Sequence, residues 1–271
     1  MIDEVRTVWN AKAAGWARLS RNPRTYWNRR LRAIAGLAVH HAGSGRSLDV
    51  GCGPGTLCRM LAEAGFEAHG TDISGNMIRE ASALLRDLGP DAGARLHLSP
   101  GEGLPAFPAE TRFRLATAIG VLEYVGDRKG FVRGLAEVLE PGGYLILSNS
   151  ENKSLFVVLC IASHVLRFHL TRKWFRAFGN LARTGIWTGG FVDLSAADDV
   201  YSAAALDRLA AEAGLEIIDG IDFFGVPGFD RNPLERGHLG CRLARRWGWN
   251  HMGVYRRPAD SQKVEKTDLP E

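Results

Sequence analysis

The sequence is poor in the features that mark several protein classes. No apolar run reaches the roughly 20 residues that a membrane-crossing helix needs. The nearest approach, Ser154–Phe168, is interrupted by Ser163 and His164. Cysteine is scarce and scattered. Cys52, Cys58, Cys160 and Cys241 form no C-x-x-C pair, and none has histidine partners at zinc spacing. A disulfide scaffold and a zinc module are therefore excluded as expectations, and no metal is expected; a reducing compartment fits. Charge is not lopsided either: a net +4 with pI near 9.0 is too mild to suggest nucleic acid. The first residues carry Asp3 and Glu4 and no charged-then-apolar leader, so a cytoplasmic protein is expected.

What is present is a soluble-protein composition with 45% hydrophobic residues over 271, enough for one large α/β domain. Helical patterning covers 3–19 and 24–41, with Pro23 placed to start the second helix. From there short apolar strands alternate with helices. "RSLDVG" precedes the helix "TLCRMLAEAG", and "FEAHGTD" precedes a helix that opens at Ser74 and closes near Gly89. "ARLHLSP", "FRLATAIGVLEYV" and "GYLILSNS" supply further strands, the helix before the last of them ending at Pro141–Gly142–Gly143. Strands that read as near-continuous apolar runs imply a mostly parallel sheet covered on both faces. The rhythm breaks after Ser150 and resumes with "SAAALDRLAAEAGLEIIDGIDFFG" and a last strand in "WNHMGVYRR". The expected organisation is a single domain over 1–258. It comprises cap helices at 1–42, a core at 45–150, a helical lid insertion at about 151–200 and a sheet-completing part at 201–258. The polar tail 259–271 is expected to be disordered.

The stretch "SLDVGCGPGTLCRM" closes the first strand with a glycine turn. Glycine there lets backbone approach a ligand and opens the next helix toward it. Gly51, Gly53 and Gly55 alternate, and Thr56 stands where a dinucleotide fingerprint wants its third glycine. There is no G-K-[ST], so the turn is no Walker loop. The acid two residues before the first glycine, Asp49, points to another use. A second acid, Asp72, ends the second strand, 21 residues after Gly51, where a carboxylate can take both hydroxyls of a ribose.

"LDVGCGPG" resembles the first motif of the class I S-adenosylmethionine-dependent methyltransferases, and four later segments resemble that family in order. "HGTDIS" carries Asp72. "SPGEGLPAF" is similar to the family's acidic segment, "FRLATAIGVLEYV" to its "FDxVxxxxVLEHV", and "VLEPGGYLILSN" to its fifth-strand motif. The chain departs from the pattern at Arg114, where an Asp is usual, and at Tyr124, where a His is usual. Within the family it looks similar to the small-molecule type, such as the ubiquinone-biosynthesis-like methyltransferases. The resemblance implies a doubly wound, seven-stranded, mostly parallel sheet of Rossmann-like methyltransferase type. It implies S-adenosylmethionine as cofactor, with Asp49, Gly51, Cys52, Gly53 and Gly55 near its methionine part and Asp72 on its ribose. Ile73 and Met77 would meet the adenine face, Glu102 and Gly103 its edge, and Ile119 and Gly120 the end of the fourth strand. In related enzymes an N-terminal helix closes over the methionine end; Tyr26 and Arg29 suit that place, while Trp9, Trp16 and Trp27 suit plain packing.

Acceptor signatures are again notable by absence. "AIGV" stands where "NPPY" or "DPPY" would mark amino-group methylation, and no paired-acid metal site is evident. A hydrophobic small molecule methylated at a hydroxyl is the expected substrate, and C- or N-methylation or a non-catalytic cofactor-binding role are the alternatives. A nucleotide-dependent oxidoreductase is disfavoured by the missing third glycine. Tyr124, His164 and His169 are the candidate catalytic residues, ahead of His238 and His251. The stretch 154–183 sets Arg167, Arg172, Lys173, Arg176 and Arg183 among Phe168, Trp174, Phe175 and Phe178. That pattern suits a lid over an apolar pocket or a peripheral membrane contact. A homodimer through such an aromatic face is a further option.

Overall fold

The computed structural model describes residues 2–89, 95–101, 103–108, 110–150, 203–223 and 250–259. Two helices come first, α1 (Ile2–Arg21) and α2 (Tyr26–Ala42). The second starts later than Pro23 suggests, because the Thr25 side chain accepts the Asn28 amide and caps the helix there. Gly43, at φ 73°, ends it by donating its amide to the Val39 carbonyl.

The remainder alternates as expected. β1 (Gly45–Val50), α3 (Thr56–Glu63), β2 (Phe66–Asp72), α4 (Gly75–Leu85), β3 (Leu96–Leu98), β4 (Phe113–Ile119), α5 (Arg128–Val138) and β5 (Leu139–Ser150) follow one another. Then come α6 (Ala203–Glu212), β6 (Glu216–Phe223) and β7 (Asn250–Arg256). Ser74 caps α4 through the Met77 amide, and Asp127 caps α5 through the Gly130 amide. The fifth helix does not run on to Pro141–Gly142–Gly143; it stops at Val138, and Leu139 already pairs with Phe113. The pairing then slips by a bulge before Tyr144 meets Leu115, and Gly142 takes the positive φ of 77° the bend requires. Arg114 holds this corner by donating to the Ala42 and Gly142 carbonyls.

The seven strands lie in the order β3-β2-β1-β4-β5-β7-β6. All pairs are parallel except those of β7, which runs antiparallel between β5 and β6. Gly253 of β7 is required because a Cβ there would stand 2.1 Å from the Tyr255 hydroxyl oxygen. Successive strand residues face opposite sides, so Leu115 and Ile146 pack with Ile34, Leu57 and Leu61, whereas Ala116 and Leu145 pack with Leu135 and Leu206. Both faces are thus buried, and the ends of the strands are left to form a site. Among the described residues no helix is long and apolar enough to cross a membrane.

Candidate functional site

The chain runs outward from β1 through β2 to β3, then returns to the other side of β1 as β4. The loops after β1 and β4 therefore part in opposite directions, and a crevice opens between them at the carboxyl ends of the strands. Its cavity volume is about 140 Å³, and its mouth is open.

The glycine turn forms its floor. The Gly51 and Cys52 amides both donate to the Thr71 carbonyl, at 2.7 and 2.9 Å. Gly51 sits at φ 70°, and a Cβ on it would come within 2.4 Å of a Val121 methyl. A Cβ on Gly53 would enter the gap between the turn and the Trp16 ring, 3.7 Å away. That gap is a cradle for a ligand passing along bare backbone. Gly55 serves packing instead: a Cβ there would lie 2.8 Å from the Ala81 Cβ of α4.

Asp72 sits at the end of β2. One carboxylate oxygen accepts the Gly53 amide at 2.9 Å and the other accepts the Ser74 amide at 2.8 Å. Burial pushes its carboxyl above the usual range, and the Ser74 and Gly53 amides pull it partly back. The carboxylate lines the crevice and keeps acceptor capacity for a ligand hydroxyl.

Asp49 faces the core rather than the crevice. It is buried beneath the turn and is not among the crevice-lining residues. Its carboxylate accepts the Thr117 hydroxyl at 2.7 Å, and the Cys58 thiol stands 3.8 Å from its other oxygen. Burial raises this carboxyl to about 7, against the lowering effect of those two bonds. Cys52 likewise turns away from the crevice, toward Cys58, and that thiol contact together with burial holds its own thiol well above the ordinary value. Both residues support the turn from below, because their β-carbons leave the backbone on the core side.

Helix α1 closes the top. Arg6 donates to the Ile73 and Pro100 carbonyls at 3.3 and 3.1 Å. The Asn10 side-chain oxygen accepts from the Ser74 hydroxyl at 2.7 Å and the Asn76 amide at 3.2 Å. These bonds bring Ile2, Val5, Trp9 and Trp16 over the crevice. Trp9 stands edge-on to Tyr124, with ring centroids 5.9 Å apart.

Of the residues named from sequence, Gly51, Gly53, Asp72, Ile73, Met77, Gly103, Ile119, Gly120 and Tyr124 line the crevice. Arg29 does not line it, and the Tyr26 side chain lies outside the described residues, as do Glu102, His164, His169, His238 and the whole stretch 151–202. His251 is buried in β7, away from the lining.

The residue that sequence reasoning missed is Arg30. It is only 4% exposed, and its guanidinium donates to the Ser148 hydroxyl, which also accepts the Gly120 amide at 3.0 Å. Its Nε has no hydrogen-bond partner and no carboxylate pairs with it among the described residues. A buried cation in that state is costly unless an anion is supplied. The signal was available: Arg30 lies four residues before the buried Ile34, hence on the inward stripe of α2.

A family model described as a methyltransferase domain matches residues 20–219. The chain belongs to the methyltransferase domain family. The methyltransferase is 28% identical to a ubiquinone biosynthesis O-methyltransferase of Hydrogenovibrio crunogenus, covering 78% of this chain and 75% of that one. It is 33% identical to one of Psychrobacter arcticus, covering 78% and 71%. In fold it is similar to the magnesium protoporphyrin IX methyltransferase of Synechocystis, crystallised with S-adenosylhomocysteine, at a TM-score of 0.60. That likeness, at 17% identity over 94% of this chain and 99% of the other, is one of architecture. The methyltransferase uses S-adenosylmethionine.

Proposed function

We propose that the methyltransferase methylates a hydroxyl oxygen on a hydrophobic aromatic acceptor, a phenol of quinone-like type. The observation that carries this reading is the apolar crevice wall near Gly51. Val121, Val125 and Phe131 are apolar, and Tyr124 sets one hydroxyl-bearing ring among them. Such a wall suits a ring-bearing, water-poor ligand with few polar groups. The two relatives named O-methyltransferases of ubiquinone biosynthesis support the choice of oxygen and of acceptor class.

Bound S-adenosylmethionine supplies an electrophilic methyl group on a sulfonium. The chain's part is to bind and align. Asp72 takes the ribose hydroxyls, Ile73 and Met77 flank the adenine, and Gly103 lies at its edge. Arg30, which does not line the crevice, holds Ser148 beside Gly120 from behind the wall. Tyr124 orients the acceptor ring against the apolar wall. Orientation of this kind can supply about 7–11 kcal/mol of barrier reduction. The phenolic proton is acidic enough to leave to solvent, so this reading requires no dedicated base.

The stretch 151–200, expected from sequence to be a lid, lies outside the described residues. Its basic and aromatic sequence from Ser154 to Arg183 also fits peripheral contact with an anionic bilayer, from which a lipid-soluble acceptor could be drawn. Cosedimentation with anionic and neutral vesicles tests that contact.

The test of the reaction is incubation with S-adenosylmethionine and three matched acceptors carrying the same alkyl tail: a catechol, an aniline and a carbon nucleophile. Mass spectrometry should find the methyl ether. Methylation of nitrogen or carbon alone, or no turnover of any phenol by protein that binds S-adenosylhomocysteine, would overturn the reading.

A further inference from the structure

We infer that Trp9, Trp16 and Tyr124 form an aromatic corner that holds the sulfonium charge of S-adenosylmethionine and distinguishes it from its neutral product. The inference rests on the reading of the crevice as the cofactor site.

The three rings meet as a corner. Trp9 lies 5.7 Å from Trp16 at an interplanar angle of 67°, and 5.9 Å from Tyr124 at 86°. All three line the crevice. They come from different places: two are one face of α1, and the third follows β4. Their meeting is made by the Asn10 and Arg6 bonds that seat α1 on the sheet edge. Trp16 stands over the bare backbone of Gly53, and Tyr124 follows Val121, whose methyl fills the space beside Gly51. Trp16 and Tyr124 therefore set the corner beside the glycine turn.

The charges around this end explain why rings are needed. Among the described lining residues Asp72 is the only carboxylate, and it belongs to the ribose end with both oxygens engaged by Gly53 and Ser74. Asp49 is turned beneath the turn toward Thr117 and Cys58. On the Gly120 side the buried Arg30 carries the same sign as a sulfonium. A cation here finds no further carboxylate among the described lining residues. The negative faces of mutually inclined aromatic rings are the remaining source of attraction, the arrangement by which onium ions are recognised without ion pairs. Trp9 already behaves this way toward solvent: the exposed Lys12 ammonium sits 5.2 Å from its ring centroid. An aromatic corner would favour the charged donor over S-adenosylhomocysteine, which has the same shape without the methyl or the charge.

Calorimetric titration with both ligands tests this on wild type, Trp16→Phe, Trp16→Leu and Trp9→Leu. Loss of a ring should weaken S-adenosylmethionine about fivefold more than S-adenosylhomocysteine, and Trp16→Phe should keep most of the preference. Equal weakening of both ligands would overturn the inference and leave the rings as packing. Unchanged affinities would overturn it too. Wild type that binds neither ligand would overturn the cofactor reading itself, and the inference with it. Fluorinated tryptophan, incorporated without altering the chain, guards against variants that fail to fold. Affinity for S-adenosylmethionine should fall stepwise with ring fluorination while that for S-adenosylhomocysteine holds; no dependence would overturn the inference.

Discussion

The amide of Gly53 donates to the carboxylate of Asp72 across 2.9 Å. This bond joins the turn after β1 to the end of β2, so that two motifs far apart in sequence act as one binding surface. Replacing Asp72 by Ala removes a ligand-binding carboxylate and leaves the Gly53 and Ser74 amides without their acceptor. We expect S-adenosylhomocysteine affinity to fall by about 30-fold or more, a loss of about 2 kcal/mol or above. Calorimetry reads it, and an unchanged affinity would reduce Asp72 to a structural cap.

Gly51→Ala should fail for a specific reason. The new methyl would meet Val121 at 2.4 Å, and φ of 70° strains any side chain. Cofactor binding should be lost. The double variant with Val121→Ala relieves the collision but not the dihedral strain, so it should recover part of the binding and remain about 1–2 kcal/mol less stable than wild type. Full recovery would show that sterics alone matter.

Asp49 sets a pH dependence. Its folded pKa, about 7, lies above the ordinary 3.8, so the folded state keeps the proton to higher pH. Stability from this group is fully present below about pH 3.8 and is lost as pH rises through 7. The change amounts to about 4 kcal/mol over that window. Urea midpoints for Asp49→Asn should lack this decline, and parallel curves for the two proteins would refute the assignment.

His69 and His97 act in the opposite sense. Their rings stack 6.1 Å apart with planes inclined by 4°. Burial lowers both from the usual histidine value, Glu67 opposing this at His69. A depressed folded pKa means that the unfolded chain takes protons first. Stability therefore falls as pH drops below about 6.5. In an Asp49→Asn background, His97→Phe should flatten the acid side of the stability curve. The consequence is local as well: β3 leads to Ser99, whose amide donates to the Asp72 carbonyl at 2.8 Å.

Arg30→Met separates binding from folding. A guanidinium kept for an anionic ligand is a burden to the empty protein. The variant should be no less stable than wild type without ligand, yet bind S-adenosylhomocysteine about tenfold more weakly. A drop of several kcal/mol in unliganded stability with intact binding would assign Arg30 to the scaffold.

Much of the core was legible in order along the chain. The run Ser47–Val50, the turn Gly51–Gly55 and the acid at Asp72 can be read because strand, turn and next strand are neighbours in sequence. The Ser74 cap and the Gly65 and Gly214 helix exits are local for the same reason. Legibility ended where a side chain's direction mattered. Asp49 and Gly51 are two residues apart, yet one faces Thr117 in the core and the other faces the crevice. In α2 a step of one residue turns the side chain by about 100°, and that step buries Arg30 and leaves Arg29 half-buried.

By itself the sequence determined the alternation of strands and helices, the parallel sheet and the crevice after β1, since hydrophobic period and turn chemistry are properties of short segments. Only the tertiary structure decided what closes the crevice and what charges it. The Asn10–Ser74 bond spans 64 positions, the Thr117–Asp49 bond 68 and the Arg30–Ser148 bond 118. Contacts between segments so far apart arise from how layers pack, and no local pattern along the chain encodes them.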